Sequence, residues 1–361
     1  MYQRKSRRCC AWMLAVSICL RLCIFLGLDA KAAAFVTAAA RSTEFARWML
    51  FLETGRAAQP DVETEQQPQL WVLKVEQPAE TQPEEQEDTS EKTEAPVIQA
   101  VPAGSELHPA SADAISVSGG CTYSYDKAAL LARPTAMDLS GDGPKVLIVH
   151  THSSEAYTPE AGLEYQPEGA YRTLEPERSV IRVGDVLAET LEAEGISALH
   201  DRSFNDYPDY NTSYWTTLGK IEDWLAKYPS IQMVIDIHRD AVEDDAGHAV
   251  ALSATAGGES CARLMLVVGT DQGGLEHPNW QENLANALKL QAVLEGKYPG
   301  LCRSLDLRTE RFNQHVTPGS LLVEVGTNGN TLTQAVESAR LLGGALAEML
   351  QALSLHGGTL S

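Results

Sequence analysis

The run Val146-Leu147-Ile148-Val149 passes without a break into His150-Thr151-His152-Ser153-Ser154-Glu155. Four branched apolar residues in a row read as a buried strand. Two histidines and a glutamate arrive where that strand must end. In α/β sheets, ligand and catalytic groups gather beyond the carboxyl ends of the strands. Met233-Val234-Ile235-Asp236-Ile237 delivers His238 in the same way, and Leu321-Leu322-Val323 delivers Glu324. Imidazoles with one carboxylate are the donor set of a catalytic zinc, which keeps its fourth position for water. Three such strand ends together form a metal-hydrolase pattern that none of them makes alone.

The segments between these strands set the fold class. Val180, Val183, Val186, Leu187 and Leu191 fall at helical spacing over about 179–194. Further helices are predicted over 218–228, 280–295 and 332–353, and further strands over 197–200 and 264–268. Strands alternating with helices predict an α/β domain, a mostly parallel twisted sheet flanked by helices. This catalytic domain is expected over 121–361, with no internal repeat.

The first 120 residues read differently. Arg4, Lys5, Arg7 and Arg8 precede Cys9–Leu28, which is apolar except for Ser17 and Arg21. That length spans a bilayer core, and the positive flank predicts a single-pass membrane anchor over residues 1–30 with the remainder extracytoplasmic. A cleaved signal peptide, with Ala30-Lys31-Ala32 as an imperfect site, is the alternative. Residues 32–55 carry an amphipathic pattern that suits either a helix on the membrane surface or a helical stalk. From there to about Gly120 the chain is rich in Glu, Gln, Pro and Thr, which predicts a disordered tether. Ala57–Asp113 holds thirteen Asp/Glu against two Lys, about half of the net charge of −21. No basic patch is left to suggest a nucleic-acid partner. Of seven cysteines, only Cys121, Cys261 and Cys302 lie in the expected domain, without a CxxC pair. They indicate neither a disulfide framework nor a thiolate-held zinc.

Candidate roles follow from donor chemistry. On a regular strand His150 and His152 would share a face; on a turn they would not. The reading takes His150 as metal ligand and gives His152 a supporting or substrate-facing role. Glu155 then supplies the carboxylate and His238 the third donor. Glu177, in the first turn of a helix, is the rival carboxylate. Glu324 is the candidate general base, desolvated at a strand end so that its pKa rises. Arg239 and Asp240, with Asp236, are expected to orient an imidazole or to bind substrate. His315 in Phe312-Asn313-Gln314-His315 is a candidate pocket residue. His108, His200, His248, His277 and His356 lack partners in the sequence and receive no role.

Four blocks in order resemble the stage II sporulation protein P family across roughly residues 140–350. They are His150-Thr151-His152-Ser153-Ser154-Glu155-Ala156-Tyr157 with Val183-Gly184-Asp185, Asp236-Ile237-His238-Arg239-Asp240-Ala241, Phe312-Asn313-Gln314-His315, and Pro318-Gly319-Ser320-Leu321-Leu322-Val323-Glu324-Val325-Gly326. The resemblance implies a zinc-dependent N-acetylmuramoyl-L-alanine amidase that also acts as a peptidoglycan endopeptidase. It further implies septal wall thinning and engulfment in endospore formation, with other membrane proteins of the engulfment machinery as partners. A zinc peptidase confined to stem peptides and a non-catalytic wall-binding scaffold are the competing readings.

Overall fold

The structure, a computed structural model, describes residues 97–98, 107–256 and 258–360. Ten strands and five α-helices are formed among the described residues. The strands are β1 (Val97–Ile98), β2 (Val117–Ser118), β3 (Val146–Val149), β4 (Ala198–His200), β5 (Met233–Asp240), β6 (Ser253–Ala256), β7 (Glu259–Ala262), β8 (Leu264–Val268), β9 (Leu305–Leu307) and β10 (Leu321–Thr327). The helices are α1 (Lys127–Ala132), α2 (Val180–Ala193), α3 (Ser213–Lys227), α4 (Trp280–Lys297) and α5 (Leu332–Leu355).

A seven-stranded sheet runs in the order β2-β9-β8-β10-β5-β3-β4. Every neighbouring pair in it is parallel except β8 with β10. The mostly parallel sheet read from the sequence is therefore present, with one antiparallel junction in its middle. A second, three-stranded sheet, β1-β6-β7, is set apart from it.

Alternation along the strands divides the interior. Val146 and Ile148 of β3, Met233, Ile235 and Ile237 of β5, and Leu321, Val323 and Val325 of β10 enter one large core with α2, α4 and α5. Leu147, Val149 and Val234 pack on the other face against Ile221 and Trp224 of α3. Met265, Val267 and Leu322 form a small cluster of their own beside Phe312. Because side chains alternate along a strand, Asp236 and His238 leave β5 on the α3 side with Val234. Glu324 leaves β10 with Leu322, on that same side.

Local signals place the helices. The Ser179 side chain accepts from Ile181 N at the start of α2. Thr331 and Gln334 cap α5 reciprocally, each side chain bonded to the other's backbone N–H. Inside α4, Asn283 donates to the carbonyls of Thr317 and Ser320 at 3.0 and 2.8 Å, and Asn286 to Pro318 O at 2.9 Å. These buried amides hold the turn that feeds β10.

Two expectations are corrected. No helix of the described residues is long and apolar enough to cross a membrane. Among the described residues the expected single-pass anchor and its membrane localisation find no span to support them; Cys9–Leu28, on which they were read, lies outside the described residues, as do residues 32–55. The folded part also begins before Cys121. Ile115 is wholly buried in the large core and Val117 pairs with Leu305 at the sheet edge, so the expected tether ends earlier than residue 120. Val97–Ile98, inside that expected tether, pair with β6.

The register of β5 against β10 sets Glu324 opposite His238 and then slips between Glu324 and Thr327. Gly326 makes the slip possible. Its φ is +72°, and a Cβ there would stand 2.6 Å from the Ala262 Cβ and 2.8 Å from Asn330 Oδ1. Gly326→Ala is expected to lower stability by about 2 kcal/mol or more, from left-handed strain plus the clash. A urea titration followed by circular dichroism checks this through its midpoint.

Candidate active site

The chain turns immediately after β3, and the turn is tied to β5. Thr151 donates through its backbone N–H to Asp236 Oδ1 at 2.7 Å and through its hydroxyl to Asp236 Oδ2 at 2.5 Å. Ser153, Ser154 and Asn205 hold the next residues through Asp206 and the His150 carbonyl. The turn sends His150 and His152 to opposite faces of the sheet. His152 goes to the α3 side, where its ring stands 5.2 Å from that of His238, edge to face.

Glu155 closes the cluster from the same turn. It is buried, accepts from the backbone N–H of Arg239 at 3.1 Å, and stands 3.4 Å from His238 Nδ1. Arg172 Nη2 approaches its other oxygen at 3.8 Å. Burial pushes the Glu155 carboxyl up, but Arg239 and His238 outweigh it and hold the group well below the usual carboxylate range. Asp236 Oδ1 lies 3.0 Å from His238 Nε2, an ionic contact without hydrogen-bond direction. Burial works against a charged His238, yet Asp236 and Glu155 on its two nitrogens raise its pKa well above 6.5. His152 has no such partner at Nδ1, and burial takes it down to about 4. The cluster thus pairs a neutral imidazole with a proton-loving one.

Glu324 stands beside His238 on the next strand. Burial, then repulsion from Asp240, raises its carboxyl to about 8, and Oε2 has no hydrogen-bond partner. A carboxyl so placed exchanges its proton near neutral pH.

Several expected residues stand elsewhere. His150, expected as a ligand, is a correction: it is wholly buried against α2, with Nδ1 on the Ile237 carbonyl and Nε2 on His200, so both nitrogens are engaged. Its direction follows from alternation, since it continues the series Val146, Ile148 into the large core. Glu177, the rival carboxylate, is exposed and bonded to Arg202 at 2.7 Å. Asp240 pairs with Arg303 at 2.7 Å and does not orient an imidazole. Arg239 does serve the site: its guanidinium donates to Ala156 O and Tyr171 O, fixing the chain around Glu155. His315 sits beside Arg311 and His277, with no contact to the cluster.

Sequence reasoning missed Tyr210, Tyr214 and Arg172. Tyr210 stacks on His152 with ring centroids 4.4 Å apart and its hydroxyl 3.2 Å from Nε2. The guanidinium of Arg172 lies over the Tyr210 ring at 4.7 Å and bonds Asp206 at 2.7 Å. The aromatic density of Tyr207-Pro208-Asp209-Tyr210 through Tyr214-Trp215 was a usable signal; a lone arginine in a polar loop was not.

The donor types at this cluster suggest a metal ion. His152 Nδ1 and His238 Nε2 are buried nitrogens without a hydrogen-bond partner, and Glu155 is an ionised carboxylate beside them. In chemistry the donors fit a zinc ion. In placement they stand close but not converged: among the described residues no group of three or more His, Cys, Asp or Glu side chains is arranged to hold a metal.

Glu324 gives a prediction for the metal-free protein. At low pH its carboxyl is protonated both folded and unfolded. As pH rises from its ordinary 4.5 towards about 8, the unfolded chain ionises while the folded one does not, so stability falls. Glu324→Gln removes that loss. Its melting temperature should match the parent near about pH 4 and exceed it by on the order of 10 °C near about pH 8, read by calorimetry in chelator.

The family described as Stage II sporulation protein P (SpoIIP) matches residues 42–347. The Stage II sporulation protein P of Bacillus subtilis (strain 168) is 31% identical over 225 residues, covering 58% of this chain and 52% of that protein. The chain thus spans about half the length of the curated relative it matches. Among solved structures, the N-acetylmuramoyl-L-alanine amidase AmiC2 of Nostoc punctiforme is 13% identical with a TM-score of 0.36, over 60% of this chain and 100% of that one. The N-acetylmuramoyl-L-alanine amidase from Clostridium difficile 630 is 11% identical with a TM-score of 0.35, over the same shares of 60% and 100%.

Proposed function

Since the chain belongs to the stage II sporulation protein P family, we propose that it is a zinc-dependent peptidoglycan hydrolase acting on the amide between N-acetylmuramic acid and L-alanine. Endopeptidase action on the stem peptides is part of the reading, as is a role in septal wall thinning and engulfment during endospore formation. Its partners would then be peptidoglycan itself and other proteins of the engulfment machinery. One observation carries the chemistry: a buried carboxyl raised to about 8, Glu324, is register-paired with an imidazole that shares a dry face with a second imidazole and an ionised carboxylate.

His152, Glu155 and His238 are the residues that would hold zinc. Bound there, the ion would polarise the scissile carbonyl and lower the pKa of the attacking water. Glu324 takes the proton of that water and returns it to the leaving amine. A group with a pKa near neutrality suits both halves of the shuttle. Arg239 fixes the Glu155 turn through backbone carbonyls, and Asp236 holds the Thr151 turn in place, so neither has to touch substrate. Tyr210 and Tyr214 wall the approach to His152.

Purified sacculi digested with the protein and resolved by mass spectrometry test the reading. The expected product is free stem peptide with L-alanine at its new amino terminus. Glu324→Gln should keep peptidoglycan binding and lose turnover by about 10²-fold or more. Chelation should abolish activity and zinc restore it. Cuts confined to the stems would make it a peptidase, and binding without any product would make it a scaffold.

A further inference from the structure

On the sheet face away from His238 and Glu324, two imidazoles meet inside the fold. His150 Nε2 lies 2.7 Å from His200 Nε2. His150 Nδ1 lies 3.0 Å from the Ile237 carbonyl oxygen, and His200 Nδ1 lies 3.1 Å from Asp185 Oδ1. Asp185 is also 3.0 Å from Arg202 Nε and 3.9 Å from Arg182 Nη1. The rings cross at 69° with centroids 5.0 Å apart. Gly184 of α2 makes the room: a Cβ there would stand 2.6 Å from Nε2 of both rings. Two buried imidazoles are costly to desolvate, and no step of the proposed reaction uses them.

Both ends of this run are acceptors. A carboxylate and a carbonyl only accept, so both Nδ1 atoms must donate. A hydrogen bond between the two Nε2 atoms needs a third proton, so in that state one of the two rings is an imidazolium, with the Asp185 carboxylate to balance it. The result is an unbroken run of hydrogen bonds from Asp185, near the surface of α2, to the carbonyl of Ile237, which directly precedes His238. From the opposite face, Thr151 binds Asp236 through its N–H and its hydroxyl. The exit turn of β3 is thus pinned to β5 on both faces of the sheet. His152 lies two residues beyond His150 and one beyond Thr151, and His238 lies one beyond Ile237 and two beyond Asp236.

The geometry points to Asp185, His200 and His150 as positioning residues: their hydrogen-bonded chain sets the spacing of His152 and His238 from behind the sheet. The activity arm of the test rests on the proposed hydrolase; the spectroscopic arm does not.

The test uses the full chain labelled with ¹⁵N-histidine, as parent and as His200→Gly. In the variant, the His152 and His238 ring signals should shift, and kcat on sacculi should fall about 10-fold with KM changed less than about twofold. Added imidazole should restore both. Added 1-methylimidazole, which fills the same cavity but carries a methyl on one of the two nitrogens that must make contact, should restore neither. Unmoved His152 and His238 signals would overturn the inference, and so would equal rescue by the two compounds, which would mean packing alone. If His200→Gly does not fold, Asp185→Ala, at the outer end of the chain, must shift the same ring signals or the inference falls. A parent protein inactive on sacculi would sink the proposed function, while the ring signals still decide the positioning role.

Discussion

The pairing of β5 with β10 is the constraint from which the site follows. Adjacent strands lie about 4.8 Å apart, so register partners on one face leave the sheet side by side. Glu324 and His238 are such partners. A slip of one residue would turn Glu324 into the apolar core and bring Val323 or Val325 to the site. The fold guards against it at both ends of β10. Asn283 and Asn286 hold the turn that leads in, and the bulge at Gly326 ends regular pairing directly after Glu324. Buried amides that would otherwise be a cost inside α4 are offset by three backbone carbonyls they satisfy.

The same strand pairing explains why one buried carboxyl is neutral and its neighbours are charged. Asp236 and Glu155 each receive backbone or hydroxyl donors and face His238, so their ionised forms are satisfied. Glu324 receives none at Oε2 and faces Asp240 and Glu155, so the proton stays. Environment, not residue type, assigns the roles, and three carboxylates within one face are driven apart in pKa.

How much of this was legible in the sequence depends on whether a residue breaks a pattern. His238 and Glu324 each interrupt an apolar run, and the register of β5 with β10 sets them side by side. Glu155 was legible from its place after the strand. His150 was not, because Val146–Val149 is apolar on both faces and alternation within it carries no sign. Only the register Val149 with Asp236 tells that the next residue enters the large core. Glu177 looked like a ligand because first-turn acids serve both dipoles and metals; its partner Arg202 lies 25 residues on and left no local trace. The α/β alternation came from long helical patterns such as Val180–Leu191. The hairpin of β6 and β7 and the three-residue β9 escaped, since Ser253-Ala254-Thr255-Ala256 has no apolar run and Leu305-Asp306-Leu307 is too short to show a period.

The two imidazoles of the site are unequal, and that inequality bears on how a cation would enter. His152 is held neutral by burial and offers a free lone pair at once. His238 is gripped by two carboxylates, which keep its proton in the absence of metal. In the proposed holoprotein that proton must leave as the ion arrives, because a ligand nitrogen cannot also carry it. The carboxylates that hold the proton are also the charges that would welcome a divalent cation, so the apo site balances with one proton where the loaded site balances with the ion. Glu324, raised partly by Glu155 and Asp240, would feel the added positive charge as well and move toward its ionised, proton-accepting form. On the proposed reading, binding of the ion and activation of the base would be one electrostatic event, set up by the register of two strands.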